Sequence, residues 1–296
     1  MLKMFFILFV FFIGCKQENK INHQNTIAVN SNTDYNFSDY QLFELPSSLQ
    51  EISGLSFSDK FIYTHNDEEG IVFKLNGSTG EVISTYIIGK DDDYEGIEIV
   101  GNHIVIAKSN GNLVFYDMKT EKSKTVKNKF KTENDVEGLG YIKESNELLI
   151  ACKGEPLKGK GEKEKAIYTY NLETNELNEK PFIKVSHKEL KKHVKEQYSG
   201  SNLFEKELKK LNSRVTSFAP SGIAIKPSTK EFYITSARGN LLVIFNANKQ
   251  LKNIVFLNKK ELPQPEGICF DEKENLFISS ETKKGGGKIY KYKQEH

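Results

Sequence analysis

The stretch Tyr94-Glu95-Gly96-Ile97-Glu98-Ile99-Val100-Gly101-Asn102-His103-Ile104-Val105-Ile106-Ala107-Lys108 decides the fold. Two β-branched runs are joined by a Gly-Asn turn, and the first opens on a carboxylate followed by glycine and isoleucine. Such runs, bounded by turn residues, read as an antiparallel hairpin. The opening phrase recurs as Ser53-Gly54-Leu55, Glu137-Gly138-Leu139, Ser221-Gly222-Ile223 and Glu266-Gly267-Ile268. Its glycines stand at 54, 96, 138, 222 and 267, in steps of 42, 42, 84 and 45. A strand-rich unit repeating about every 40 residues is the signature of a β-propeller, one repeat per blade.

Working outward, each phrase predicts four strands. The first repeat gives 54–57, 61–65, 71–75 and 82–88, and the second 96–100, 103–108, 113–116 and 123–127. The third gives 138–142, 147–152, 166–171 and 181–185, and the fourth 222–225, 231–236, 241–245 and 252–257. The fifth offers only 267–270, 275–279 and 288–292 before the chain ends, so Tyr40 to Leu45 is expected to supply its outer strand. Closing the ring with both termini removes two open sheet edges. The double step between Gly138 and Gly222 leaves two readings, a helical insertion or a degenerate sixth blade. Leu190, Val194 and Tyr198, followed by Phe204, Leu208 and Leu211, have helical spacing and favour an insertion between blades 3 and 4. The expectation is an all-β, five-bladed propeller, with six blades as the alternative. Gly285-Gly286-Gly287 reads as a flexible turn.

The ends carry different signals. Lys3 precedes an apolar run from Met4 to Ile13, too short to span a bilayer, which needs roughly 20 residues. Ile13-Gly14-Cys15 closes it in the manner of a bacterial lipobox, so residues 1–15 are expected to be a signal peptide. Cys15 would then be lipidated, anchoring the protein to a bacterial membrane on its periplasmic or outer surface. An ordinary secretory signal is the alternative. Residues 16–36 form a polar tether and 37–296 the propeller domain. A net charge of +2 gives no field that would favour nucleic acid, and the domain is expected to be a monomer. Cys152 and Cys269 lie in apolar strands and read as buried free thiols.

Strand direction places the residue before each repeat glycine at one mouth of the central channel: Ser53, Glu95, Glu137, Ser221 and Glu266. The turns after the second strands add Asn66, Asp67, Lys153, Arg238 and Glu281 around it, with His65 nearby and His103 at the opposite rim. Crowded carboxylates raise one another's pKa, and a bound cation relieves that cost. All-oxygen donors suit Ca²⁺ rather than zinc, so Glu95, Glu137 and Glu266 are the candidate metal ligands. Ser53, Asn66, Asp67, Ser221, Arg238 and Glu281 are candidates for contacting a small or anionic ligand. The opposing reading is architectural: the glutamates accept backbone N–H groups while the glycines allow close strand packing. The lysine-rich loop 153–165 and the helical insertion would form a basic lid over this mouth, or be simply solvated.

On these residues the chain resembles the SdiA-regulated (YjiK/CarP-like) family of bacterial envelope propellers. The matching phrases are Leu45-Pro46 through Glu51-Ile52-Ser53-Gly54-Leu55, Asn66-Asp67-Glu68, Asp93-Tyr94-Glu95-Gly96-Ile97 and Pro220-Ser221-Gly222-Ile223-Ala224. Leu262-Pro263-Gln264-Pro265-Glu266-Gly267-Ile268 and Ser279-Ser280-Glu281 complete the set. The resemblance implies a periplasmic or membrane-anchored propeller, phytase-like in fold and linked to calcium, without naming a reaction. Three functions stay open: a cation- or ligand-binding sensor or scaffold without turnover, a calcium-dependent phosphoesterase, and a protein-interaction platform on the same face.

Overall fold

β-Branched runs punctuated by Gly and Asn become twenty strands in the computed structural model, which describes residues 33–158, 163–199 and 205–295. The expected signal peptide 1–15 with Cys15, and the expected tether up to residue 32, lie outside the described residues. Strand β1 (Gln41–Glu44) is followed by blade 1, β2 (Ile52–Ser58), β3 (Phe61–Asn66), β4 (Ile71–Asn76) and β5 (Val82–Ile87). Blade 2 is β6 (Tyr94–Val100), β7 (His103–Lys108), β8 (Leu113–Asp117) and β9 (Lys122–Val126). Blade 3 is β10 (Val136–Ile142), β11 (Glu147–Cys152), β12 (Glu164–Asn171) and β13 (Glu176–Ser186). Helices α1 (His187–Gln197) and α2 (Glu205–Thr216) precede blade 4, made of β14 (Gly222–Ile225), β15 (Phe232–Ser236), β16 (Leu241–Phe245) and β17 (Leu251–Phe256). The chain ends with β18 (Pro265–Phe270), β19 (Leu276–Ser280) and β20 (Lys288–Tyr292).

Five four-stranded antiparallel sheets result, each a meander from the channel outward. The fifth has the order β1-β20-β19-β18, so the first strand of the chain closes the last blade, with Leu42 opposite Tyr290 and Phe43 opposite Ile289. No sixth blade fills the double step. That length goes into the long strand β13 and the two helices, whose apolar stripes Leu190 and Val194, and Leu211 and Val215, are buried. They join one core with Ile183 and Val185 of blade 3 and Val243 and Ile254 of blade 4. Arg214 fastens α2 to blade 4 by donating to the carbonyls of Gly239, Asn240 and Leu257. The insertion is thus side-packed against the outer strands of two blades rather than held over the channel as a lid.

The blades are joined through their innermost strands. A Cβ on Gly96 would come within 2.3 Å of the Leu139 nitrogen, and one on Gly54 within 2.8 Å of the Glu95 carbonyl oxygen. Gly138 faces Gly222, Gly222 faces the Glu266 carbonyl, and Gly267 faces the Ser53 carbonyl and the Leu55 nitrogen. Each repeat glycine therefore abuts the backbone of the next blade, around the whole ring. Side chains beside those glycines add stitches. Thr235 Oγ1 donates to the Glu266 carbonyl at 2.6 Å and Ser279 Oγ to the Ser53 carbonyl at 2.9 Å, while His65 Nε2 lies 2.7 Å from the Glu95 carbonyl. A hydrogen bond of this kind contributes about 1 kcal/mol net.

The two ends of the propeller's described residues also meet. Tyr35 is buried, bridges to Gln294 and donates its hydroxyl to the Glu274 carbonyl at 2.8 Å. Asp34 pairs with the fully buried ammonium of Lys226. These residues, expected at the end of the tether, are docked because an aromatic ring and a buried charge each find a partner there. Gly286 and Gly287, read as a flexible turn, instead pack against the carbonyls of Leu45 and Leu49 at the closure. Gly287 N–H donates to the Leu49 carbonyl at 2.7 Å. Cys152 and Cys269 are buried free thiols, as expected.

Because the obstacle at Gly96 is neighbouring backbone, Gly96→Ala is expected to cost about 2–4 kcal/mol. Gly101→Ala has open space around it and only a positive φ of 59° to strain it, for about 1 kcal/mol. Denaturant unfolding of the two variants checks the ordering.

Candidate functional site

Four of the five opening phrases sit in a β-bulge. Register shifts between Ile52 and Leu55, Tyr94 and Ile97, Val136 and Gly138, and Pro265 and Ile268 place an extra residue in the innermost strand beside the repeat glycine. A bulge re-aims the side chain it carries. At these positions the side chains before the glycines gather at the channel mouth: Glu137 and Glu266 are buried, Glu95 is partly exposed, and Ser53 and Ser221 are buried.

The two serines face sideways into the next blade. Ser53 Oγ lies 3.1 Å from the Glu95 carbonyl and 3.3 Å from its carboxylate, and Ser221 Oγ donates to the Pro265 carbonyl at 2.7 Å. They continue the stitching of the ring. The glutamates do something else: Glu137 Oε1 accepts from Lys153 Nζ at 2.5 Å, and that ammonium acts electrostatically on Glu95, Glu266 and Glu281 as well. Architecture is carried by the glycines and by the carbonyls of Glu95 and Glu266, while the carboxylates project into the mouth.

A second ring follows the ends of the second strands, with Asp67, Lys153 and Glu281 on blades 1, 3 and 5. Burial, then the charges of Glu51 and Glu68, pushes Asp67 up to about 6, and its buried Oδ1 has no hydrogen-bond partner. Burial, then Asp67 and Glu51, lifts Glu281 to about 7, and Gln264 donates to its carboxylate. Glu266 is held well above the usual carboxylate range by burial, with Glu137 and Glu281 adding repulsion. Burial and Glu137 raise Glu95, and burial raises Glu137 against the pull of Lys153. Four glutamates thus share one ammonium with Asp67 close by, and each of the five carboxyl groups is disfavoured as an anion until a counter-charge arrives.

The remaining sequence candidates divide. Asn66 is buried and shapes its own turn, its Oδ1 accepting Glu68 N–H at 2.9 Å and its amide reaching the Ser48 carbonyl. Arg238 is exposed, and its charge acts on Lys165 rather than on the mouth carboxylates. Asp92 pairs with Lys108, and Asp93 accepts from the Ser109 hydroxyl. His65 is fully buried, its Nδ1 3.0 Å from the Asn66 carbonyl and its Nε2 on the Glu95 carbonyl, so it serves the ring. Among the described residues, no group of three or more His, Cys, Asp or Glu side chains is arranged to hold a metal ion. Nor is any described helix long and apolar enough to cross a membrane.

Two features lay beyond the sequence reading. Lys153 was placed on the rim, but its pairing with Glu137 joins positions 16 residues apart through strand register. Glu98 lies one alternation further along β6, accepts from Ser56 Oγ at 2.8 Å, and is pushed by burial to about 8. A glutamate at an inward position of an innermost strand was the available signal.

Comparison with known proteins bears on this geometry. A family model described as SdiA-regulated matches residues 34–284. No curated protein matches the chain. Among solved structures, a gluconolactonase from Xanthomonas campestris is 12% identical with a TM-score of 0.50, over 82% of this chain and 74% of that one. A nidogen/laminin complex is 16% identical with a TM-score of 0.47, over 77% of this chain and 72% of that one. At such identity the first of these is a likeness of fold alone.

The raised carboxylates set a direction for stability. Below about pH 4.5 they are protonated folded or unfolded and contribute no difference. As pH rises toward 7 the unfolded chain releases protons that the mouth retains, and stability falls. Thermal melts of the cation-free protein are expected to decline across that window, and Glu266→Gln is expected to flatten the decline.

Proposed function

The chain belongs to the SdiA-regulated family, and from that premise and the geometry of the mouth we propose a cation-binding propeller that acts as a sensor or scaffold without turnover. The observation that carries the reading is the imbalance at the mouth. Glu95, Glu137, Glu266 and Glu281 face a single ammonium, that of Lys153, and Asp67, beside Glu281, keeps a buried oxygen without a partner. Converging carboxylates that burial disfavours as anions are stabilised by any cation that enters.

Calcium is the first cation to consider, because the donors are hard oxygens and no thiolate or free imidazole is among them. The set fits calcium in chemistry, and the absence of a prearranged ligand group among the described residues points to modest affinity. When bound, Ca²⁺ would supply the missing positive charge, held by Glu95, Glu137 and Glu266. A primary ammonium is the second candidate: Lys153 already places one on Glu137, so a ligand amine finds the same partner. Lipidation at Cys15 and residence in the bacterial envelope belong to this proposal. Their support is the sequence of residues 1–15 alone.

Calorimetric titration of the purified protein with CaCl₂, beside the Glu95→Gln, Glu137→Gln and Glu266→Gln triple variant, tests the reading. Saturable heat in the parent that is lost in the folded variant is expected. A well-folded parent giving no heat with calcium or with a primary amine overturns it.

A further inference from the structure

We propose that the cleft where the base of the β12–β13 hairpin meets the start of α1 and the end of α2 binds a small polyanion, a molecule carrying two or more phosphate groups. The cleft is separate from the channel mouth and does not depend on cation binding there. Its volume is about 700 Å³, within the size range of small-molecule sites. Lys163, Lys188, Lys191 and His187 line it, and Glu164 is its one acid.

Its walls are tied together by the backbone. His187 N–H donates to the Lys163 carbonyl at 3.1 Å, Glu164 pairs with Ser186 at the end of the hairpin, and His187 Nε2 lies 3.4 Å from the Phe218 carbonyl beyond α2. Loop, strand end and α1 therefore present their charges from a braced frame, with Thr216 of α2 beside them. Ser186 Oγ already accepts the Lys188 N–H at 3.2 Å, so the attraction for an anion comes from side chains rather than from the open end of a helix.

Among the described residues, the lysines of the cleft form no ion pair. The helix lysines with ion pairs are Lys192 with Glu196 and Lys209 with Glu205, on other positions. Lys163, Lys188 and Lys191 have no acidic partner among the described residues. Just beyond, Lys165 is buried and donates to the Gly154 carbonyl at 3.1 Å, and both burial and the charge of Arg238 lower its pKa. A concave group of unpaired ammonium ions beside a second pair of like charges is electrostatically incomplete, and a compact oxyanion completes it. Concavity favours a small ligand over a flat membrane surface, which would meet the projecting edges first.

Isothermal titration of the full-length protein with sodium tripolyphosphate tests the site. Saturable binding is expected, weakened at least tenfold in Lys188→Gln/Lys191→Gln, whose exposed positions leave the fold intact by circular dichroism. Lys122→Gln/Lys124→Gln, altering lysines of β9 on another blade, and the triple glutamine variant of the mouth are expected to bind as the parent does. Retained affinity in the Lys188/Lys191 variant overturns the proposal, and so does equal loss in the Lys122/Lys124 variant. Absence of tripolyphosphate binding also overturns it, including when anionic phosphatidylglycerol vesicles are bound.

Discussion

Everything in this propeller depends on the close approach of one blade's repeat glycine to the next blade's backbone. A propeller with few blades turns sharply about its axis, and the innermost strands have least room where they converge. Only hydrogen fits at the contacts made by Gly54, Gly96, Gly222 and Gly267. Once glycine fills that place, the residue before it lies at the channel mouth, set there by a bulge in every blade but the fourth. The ring uses that residue's carbonyl, as at Glu95 and Glu266, and leaves the side chain unemployed. The same three-residue phrase is therefore architectural in its backbone and available for chemistry in its side chain. Blades 1 and 4 spend that freedom on serines that reinforce the ring, whereas blades 2, 3 and 5 place carboxylates in the mouth.

The upper end of the molecule consequently carries two charge regions of opposite sign. The acidic one lies on the axis, built by the repeat. The basic one lies off the axis, built by the loop and helices that interrupt the repeat between blades 3 and 4. Lys153 stands where they adjoin, at the start of the lysine-rich loop and on the carboxylate of Glu137. At the opposite end Lys226 is buried against Asp34 and Glu274, and Lys291 lies near Asp271.

The blade count, the strand order and the terminal closure were legible because glycine spacing and period-two alternation report backbone geometry directly. The axial positions of Glu95, Glu137 and Glu266 followed from strand direction alone. What stayed hidden required distances between strands. The Lys153–Glu137 pair depends on the register of β10 against β11, and the docking of Asp34 depends on a buried lysine that composition marks as exposed. Gly286 and Gly287 misled for a related reason: three glycines in a row describe a loop's freedom, but not the carbonyls of Leu45 and Leu49 that come to rest against them. The insertion's helices were legible as helices, while their seat on the outer strands followed from apolar stripes that needed a partner.

The seam between β1 and β20 has a temporal meaning. During synthesis the strand that opens the domain, β1, emerges long before its partner β20, about 250 residues later in the sequence. Blades 1 to 4 hold their own four strands and can assemble as they appear, but the fifth waits with one edge bare until Lys288–Tyr292 is released. Until that moment the nascent ring is open, and afterwards no edge remains between the termini. The closed circle thus records that β20 has been made: a domain without Lys288–Tyr292 lacks the strand that locks it, and β1 and β19 are left with unpaired edges.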